Sequence, residues 1–95
     1  MIKVVARLNF TSEGLEKLMP VIEELVAATV QEEGCVSYNF CKNVEVADAY
    51  AINETWESMA ALDAHLNSEH FIRLVPQLRA EALGERDTSL YEVVL

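Results

Sequence analysis

Residues 2–10 read Ile-Lys-Val-Val-Ala-Arg-Leu-Asn-Phe, an alternation that predicts a β-strand. One face of this strand is wholly apolar and consists of Ile2, Val4, Ala6, Leu8 and Phe10. The opposite face carries Lys3, Val5, Arg7 and Asn9. Thr11 and Ser12 follow directly and offer the side-chain oxygens that a helix N-terminus prefers. A strand followed at once by a helix is therefore expected at the start of the chain.

The middle of the chain repeats this strand and helix pattern. Between Leu15 and Val30 apolar residues recur at steps of three and four, which predicts a helix of about five turns, and Gly34 ends it. Residues 35–42 and 49–56 both alternate, and a polar connection joins them. These two segments are predicted to pair as antiparallel strands.

The last third of the chain supplies helices and a final strand. Ser58 and Ser68 are each expected to cap a helical segment, and Gly84 to end the second one. Residues 87–95 are predicted to be the last strand. The order β-α-β-β-α-β predicts a single α+β domain over residues 1–95. Its expected fold is ferredoxin-like, a split βαβ with a four-stranded antiparallel sheet and helices on one face.

The opposite face of such a sheet has no helix to cover it. The apolar side of the first strand, here Val4, Ala6, Leu8 and Phe10, is expected to be that uncovered face. A domain of 95 residues also buries a limited share of its surface. We therefore expect a homodimer in which two helix-free sheet faces pack together.

Charge excludes several classes of partner. The chain has 7 Lys and Arg against 16 Asp and Glu, a formal net charge of −9. Such a balance opposes binding to the phosphates of nucleic acids and to acidic membrane surfaces. No nucleic-acid or membrane partner is expected.

The cysteines and the N-terminus bear on the compartment. Cys35 and Cys41 lie in one predicted strand, about 20 Å apart at ~3.3 Å per residue, so a disulfide between them is excluded. The N-terminal segment contains Lys3 and Arg7 and does not resemble a signal peptide. No apolar run approaches the ~20 residues that span a bilayer. A cytoplasmic location is expected.

Both histidines lie in an acidic segment without Lys or Arg, between Lys42 and Arg73. His65 is three residues past Leu62 and borders the buried side of the short helix, whereas His70 lies in the first turn after Ser68. Each is either a functional group that titrates near neutrality or an ordinary helix-surface residue. Their spacing is expected to point them to different sides of a helix, so no metal site is predicted.

The second hairpin strand places Tyr50, Ile52, Glu54 and Trp56 on one face. The carboxylate of Glu54 is expected to face the helix layer and therefore needs a partner. Arg7 on the neighbouring first strand is expected to be that partner in an ion pair. Glu54 is then either half of an ion pair that orders the sheet or the polar floor of a small cavity. Trp56 suits an aromatic-ligand pocket and a core equally well.

Three stretches of the chain resemble the antibiotic biosynthesis monooxygenase family of small dimeric α+β-barrel proteins. They are QEEGCVSY at 31–38, ETWES at 54–58 and LDAHLNSEHF at 62–71. With the strand and helix order, the resemblance extends across nearly the whole chain. The family includes quinol and polyketide oxygenases that need no metal or flavin, haem-degrading enzymes, and isomerases that degrade signalling molecules.

The resemblance narrows the activity residue by residue. Ile52 stands where polyketide-oxidising members have an asparagine, and Asn53 is one position away from it. Val75 stands where haem-degrading members have their iron-binding histidine, and Arg7 replaces their cavity asparagine. His65 matches a histidine of the quinol-oxidising members. The resemblance thus implies a cofactor-independent monooxygenase acting on a quinol-like or other small aromatic substrate with molecular oxygen.

The same resemblance implies roles for particular side chains. His65 is expected to act as general base and Trp56 to be the second catalytic residue. The expected substrate-binding residues are Arg7, Asn9, Phe40, Glu54, His70 and Phe71. No cofactor is expected. Two alternatives stay open: an isomerase or signal-degrading enzyme on the same scaffold, and a non-catalytic protein that binds an apolar ligand.

Overall fold

The computed structural model describes residues 1–95 and contains one four-stranded antiparallel sheet and three helices. The elements are β1 (Ile2–Asn9), α1 (Ser12–Thr29), β2 (Cys35–Lys42), β3 (Ala49–Trp56), α2 (Met59–Leu66), α3 (Glu69–Glu81) and β4 (Asp87–Glu92). The strand order is β2-β3-β1-β4. The predicted ferredoxin-like α+β fold is confirmed. No helix combines the length and the apolar character needed to cross a bilayer.

Side-chain caps begin all three helices. The Thr11 hydroxyl accepts a hydrogen bond from the backbone N–H of Gly14 at 3.0 Å. Ser58 caps α2 by accepting from the N–H of Ala61 at 3.1 Å, and Ser68 caps α3 in the same way. The two serine caps agree with the prediction from the sequence. Ser68 also separates α2 from α3, so the segment after β3 turns sharply rather than continuing as one helix.

The hydrophobic core lies between the sheet and the helices. Its buried members are Val4, Phe10, Leu18, Ile22, Leu25, Tyr38, Ile52, Trp56, Leu62, Leu74 and Leu78. Every strand except β4 and every helix contributes to this set, so one layer of side chains joins the sheet to the helices.

The apolar face of β1 packs against the helices of its own chain, which corrects the prediction from the sequence. Val4 and Phe10 are 4% and 0% exposed within the core. The expectation that the face with Val4, Ala6, Leu8 and Phe10 is uncovered is therefore wrong. The helix-free face carries the other β1 residues, Lys3, Val5, Arg7 and Asn9. The reason is that the single fully apolar face is also the best surface for the helices to cover.

A register shift in β2 corrects a second detail. Strand alternation predicts that Val36 shares a face with Tyr38 and Phe40, opposite to Cys35. The ladder to β3 is instead interrupted between Cys35 and Ser37, as in a β-bulge. Val36 is consequently 49% exposed, and Cys35 packs against the core.

The connection between α1 and β2 runs close to α2. Gly34 has φ +84°, and a Cβ placed on it would stand 2.5 Å from the Cβ of Ala61. The Gly34 carbonyl also accepts a hydrogen bond from the N–H of Glu57 at 2.9 Å. Only glycine combines this backbone conformation with so close an approach. The contact brings the neighbouring residue Glu32 to the side of α2.

Candidate active site

A buried carboxylate stands on the helix-facing side of β3. Glu54 alternates with Ile52 and Trp56 on this face and is only 7% exposed. The indole Nε1–H of Trp56 donates a hydrogen bond to Oε1 of Glu54 at 2.8 Å. The expectation that Glu54 faces the helix layer agrees with this geometry. Its hydrogen-bond partner, however, is the tryptophan two residues along the same strand.

The predicted ion pair between Glu54 and Arg7 is wrong. Glu54 pairs with Val4 across the β1–β3 ladder, so Arg7 projects from the opposite face of the sheet. Arg7 instead donates to Asp87 at 3.3 Å and to Ser89 at 3.4 Å, both on β4. Arg7 nevertheless borders the rim of the cavity described next.

A cavity of about 250 Å³ lies between helices α2 and α3 and the sheet, including its edge strand β4. Most of its walls are apolar, with Ile52, Leu62, Phe71 and Leu78 among them. Glu54 and Tyr38 supply the polar part of its buried wall, while charged residues of the segment 85–87 lie at the rim. For comparison, an apolar cavity of ~150 Å³ suffices to hold benzene. The cavity can therefore accept a small aromatic molecule.

His65 lies directly behind Glu54, in the last turn of α2. Its side chain is 1% exposed, and its Nε2 atom lies 4.0 Å from Oε1 of Glu54 without any hydrogen bond. The ring centroids of Trp56 and Phe71 lie 4.6 and 5.1 Å from that of His65. Aromatic packing thus fixes the imidazole, and Glu54 separates it from the cavity.

Glu32 joins the two histidines, although the sequence predicted that they point apart. Its Oε2 atom lies 2.6 Å from Nδ1 of His65 and 2.8 Å from Nε2 of His70. The expectation of divergent histidines is wrong because the chain turns at Ser68, between α2 and α3. Sequence reasoning missed Glu32 altogether. The available signal was the acidic pair 32–33 directly before Gly34 within a stretch that resembles the family.

The same three side chains are the ones that could hold a metal ion. Glu32, His65 and His70 offer ligand atoms within 4.8 Å of one another, and imidazole with carboxylate suits zinc or iron. In a tetrahedral zinc site, however, ligand atoms 2.0–2.1 Å from the metal stand about 3.3 Å apart. Here both nitrogens lie within 2.8 Å of a single carboxylate oxygen. These are hydrogen-bond distances, so hydrogen bonds from the two histidines to Glu32 explain why the three side chains lie together.

Burial governs the protonation of the site. It raises the pKa of Glu54 to about 7; the hydrogen bond from Trp56 acts against this shift and the charge of Glu32 adds to it. Burial lowers the pKa of His65, against the influence of its hydrogen bond to Glu32. Burial also raises the pKa of Tyr38. At neutral pH the raised pKa keeps Tyr38 protonated, the lowered pKa favours the neutral form of His65, and both protonation states of Glu54 are populated.

The remaining predicted site residues divide into two groups. Phe71 lines the cavity, whereas His70 lies behind it against Glu32. Phe40 stacks on Tyr50 with ring centroids 5.4 Å apart, outside the cavity lining. Asn9 lies on the helix-free face of β1 and is exposed. The structure thus brings Glu54, Trp56, His65, His70 and Phe71 together and leaves Phe40 and Asn9 apart from them.

Known proteins resemble this chain in sequence and fold. The model of the family described as antibiotic biosynthesis monooxygenase matches residues 1–77. A crystal structure described as antibiotic biosynthesis monooxygenase is 33% identical, with a TM-score of 0.91 over 100% of both chains. A conserved protein from Methanosarcina mazei Go1 is 29% identical, with a TM-score of 0.90 over 95% of this chain and 89% of its own.

A third similar structure comes from Bacteroides thetaiotaomicron and is described as a conserved protein of unknown function and possible oxidoreductase. It is 27% identical, with a TM-score of 0.87 over 97% of this chain and 96% of its own. No curated protein matches the chain.

Proposed function

Because the chain belongs to the antibiotic biosynthesis monooxygenase family, we propose that it is a cofactor-independent monooxygenase acting on a quinol-like or other small aromatic substrate. The observation that carries this proposal is the apolar cavity of about 250 Å³ with the carboxylate of Glu54 in its buried wall. Apolar walls position a flat ring, and one carboxylate at the wall accepts a proton from its hydroxyl group.

The chemistry that we propose needs little from the protein. Loss of a hydroxyl proton turns a quinol into an electron-rich phenolate, which transfers an electron to molecular oxygen. The resulting radicals combine at a ring carbon, and loss of water leaves an oxygenated quinone. One quinol and one O₂ thus give one hydroxyquinone and one water, with all electrons supplied by the substrate.

Glu54 is the proposed proton acceptor at the cavity wall. A carboxyl group with a pKa of about 7 is well matched to this task, because both of its protonation states are populated at neutral pH. His65 lies behind it and receives the proton through Glu54. The general-base role assigned to His65 from the resemblance therefore becomes a role shared by the two side chains.

Tyr38 is the proposed partner of the developing oxyanion. It is paired with Glu54 across the β2–β3 ladder, lines the same cavity, and keeps its proton because burial raises its pKa. Its hydroxyl group can donate a hydrogen bond to the phenolate. Arg7, an expected substrate-binding residue, is not proposed for this role because it projects from the other face of the sheet.

The assembly and location that we propose are a homodimer in the cytoplasm. The polar helix-free face of the sheet remains without a covering layer in one chain, and the edge strand β4 leads into the exposed apolar residues Val93, Val94 and Leu95. The free thiols of Cys35 and Cys41 agree with a reducing compartment.

Oxygen uptake with a panel of small hydroquinones tests the proposed function. We expect consumption of one O₂ per quinol above the spontaneous rate, without added cofactor. Glu54 and His65 would equally serve an isomerase that moves a proton within its substrate. Turnover of a substrate without oxygen would favour that alternative, and tight binding without turnover would favour an apolar-ligand-binding protein.

A further inference from the structure

We propose that Glu32 is a positioning residue, which fixes the tautomer of His65 so that Glu54 and His65 together accept the two protons of the substrate. This inference rests on the proposed function and assigns roles to Glu32 and His70 that the sequence did not suggest. The basis is geometric: one carboxylate oxygen that contacts both histidines, and one histidine nitrogen that has no partner.

The tautomer follows from the contacts of Glu32. An ionised carboxylate only accepts hydrogen bonds, so each nitrogen in contact with Oε2 must donate. Nδ1 of His65 lies 2.6 Å from this oxygen and therefore carries a proton. In a neutral imidazole the other nitrogen then has a free lone pair. Nε2 of His65 is thus a base, and it faces Oε1 of Glu54 at 4.0 Å.

His70 holds Glu32 in place for this contact. Its Nε2 lies 2.8 Å from the same Oε2 atom and 3.3 Å from the hydroxyl of Ser68. The Ser68 hydroxyl in turn donates to the backbone carbonyl of His65 at 2.6 Å. Because the Glu32 side chain is 15% exposed, it is largely shielded from competing water. The turn between α2 and α3 therefore orients the carboxylate that orients His65.

The site offers two proton acceptors to the proposed reaction. Conversion of a quinol and O₂ into a hydroxyquinone and water releases no proton to solvent, since the two hydrogens lost by the substrate end in the water molecule. When both hydroxyl protons are held near the ring, the substrate is a dianion, which gives up electrons to oxygen more readily than the monoanion does. The carboxylate of Glu54 and the lone pair of His65 Nε2 provide two positions, and Glu32 is already occupied by two N–H donors.

Charge supports this assignment. A proton on Nε2 makes His65 an imidazolium, which is costly in a buried site unless an anion is adjacent. Glu32 provides that anion in direct contact. When the second proton resides on Glu54, that carboxyl group is neutral, and the imidazolium of His65 lies beside the carboxylate of Glu32. Both protons then return through Glu54 to the oxygen that leaves as water.

The other groups around Glu32, His65 and Glu54 do not compete for the protons. Tyr38 on β2 and Cys35 at its start both keep their protons, because burial raises the pKa of each. On α1, the carboxylate of Glu24 is ion-paired with Arg73 of α3, whose hydrogen bond lowers the pKa of this carboxyl group. Trp56 and Phe71 complete the surroundings and carry no titratable group.

The variant Glu32→Gln tests the inference, with Glu33→Gln as its matched control at the exposed neighbouring position. A glutamine amide can donate to Nδ1, which moves the His65 proton to Nε2 and removes the free lone pair. We expect ¹⁵N NMR to show the Nδ1–H tautomer in the parent and in Glu33→Gln, and the Nε2–H tautomer in Glu32→Gln. Retention of the Nδ1–H tautomer in Glu32→Gln would overturn the positioning role.

Kinetics separate this inference from the proposed function. We expect kcat for quinol oxidation to fall about 10²-fold or more in Glu32→Gln with KM nearly unchanged, and to be unaffected in Glu33→Gln. Glu32→Asp retains the carboxylate and should recover part of the rate, which a folding defect would not explain. An unchanged kcat in Glu32→Gln would overturn the role of His65 as second acceptor. A parent protein that takes up no oxygen would overturn the proposed function, and the tautomer would still decide the role of Glu32.

Discussion

Nε2 of His65 lies 4.0 Å from Oε1 of Glu54, and it has no hydrogen-bond partner within the protein. The two side chains come from α2 and β3, so the packing of the helix on the sheet sets this separation. A small movement of either side chain closes the gap to a hydrogen bond. In the proposed mechanism, this pair exchanges a proton at the wall of the apolar cavity.

Glu54→Gln is predicted to stabilise the protein more at pH 8 than at pH 5. The folded-state pKa of this carboxyl group is about 7 against an ordinary 4.5. The native state therefore binds the proton more tightly, and the free energy of unfolding falls as pH rises from about 4.5 to about 7. At roughly 1.4 kcal/mol per pKa unit, the cost at pH 8 is at most about 3 kcal/mol, and a neutral glutamine avoids it.

Urea unfolding of the parent, Glu54→Gln and Glu33→Gln at both pH values measures this effect. The exposed Glu33 provides the control, which should show the same difference from the parent at pH 5 and pH 8. If Glu54→Gln also differs from the parent by equal amounts at the two pH values, the raised pKa of Glu54 is refuted.

Gly34→Ala is predicted to destabilise the fold by about 2–4 kcal/mol, more than Gly84→Ala, for which about 1 kcal/mol is expected. Both glycines have positive φ, +84° and +77°. A Cβ at position 34 also meets Ala61 at 2.5 Å, whereas one at position 84 meets nothing within 4 Å. The difference in unfolding free energy between the two variants isolates the contact with α2. Equal losses would show that this close approach is not important.

Glu54 and Glu32 illustrate what the sequence could and could not predict. Alternation and caps predicted the order of strands and helices and placed Glu54 on the helix side of the sheet. Glu32 escaped prediction because its contact with His65 spans 33 residues and depends on the approach of a loop to α2. Nothing in local periodicity encodes such a contact.

The faces of β1 show a second limit. Alternation separated Val4 from Arg7 correctly, but it did not reveal which of the two faces the helices cover. A one-residue change of register exchanges the faces of a strand, so the partner of Glu54 could not be chosen without the ladder. The observed pairing of Val4 with Glu54 places Arg7 on the opposite face of the sheet, so Arg7 is not the partner of Glu54.

The protein is predicted to be a homodimer that uses the helix-free face. Light scattering at micromolar concentration should give about twice the chain mass of 10.6 kDa. Val5→Glu places a charge on that face and should yield a folded monomer, since buried unpaired charges oppose association. Leu8→Glu lies on the helix side and should unfold the chain instead. A monomeric parent would contradict the prediction.

The purified protein is predicted to contain no metal, flavin or haem in stoichiometric amount. The short contacts among Glu32, His65 and His70 are those of a hydrogen-bonded cluster. The family resemblance also implies that Val75 stands where haem-degrading members have their iron-binding histidine. Elemental analysis and an absorption spectrum check this. A stoichiometric transition metal, or a Soret band that persists after desalting, would refute it.

The rate of oxygen uptake with a small hydroquinone, as a function of pH, tests the central claim most directly. With the spontaneous rate subtracted at each pH, the parent should accelerate as pH rises through about 7, because ionised Glu54 is the acceptor. His65→Ala should be slower by about 10²-fold or more, and Glu33→Gln should match the parent. No uptake above background across a panel of quinols, or a His65→Ala variant as fast as the parent, would contradict the account.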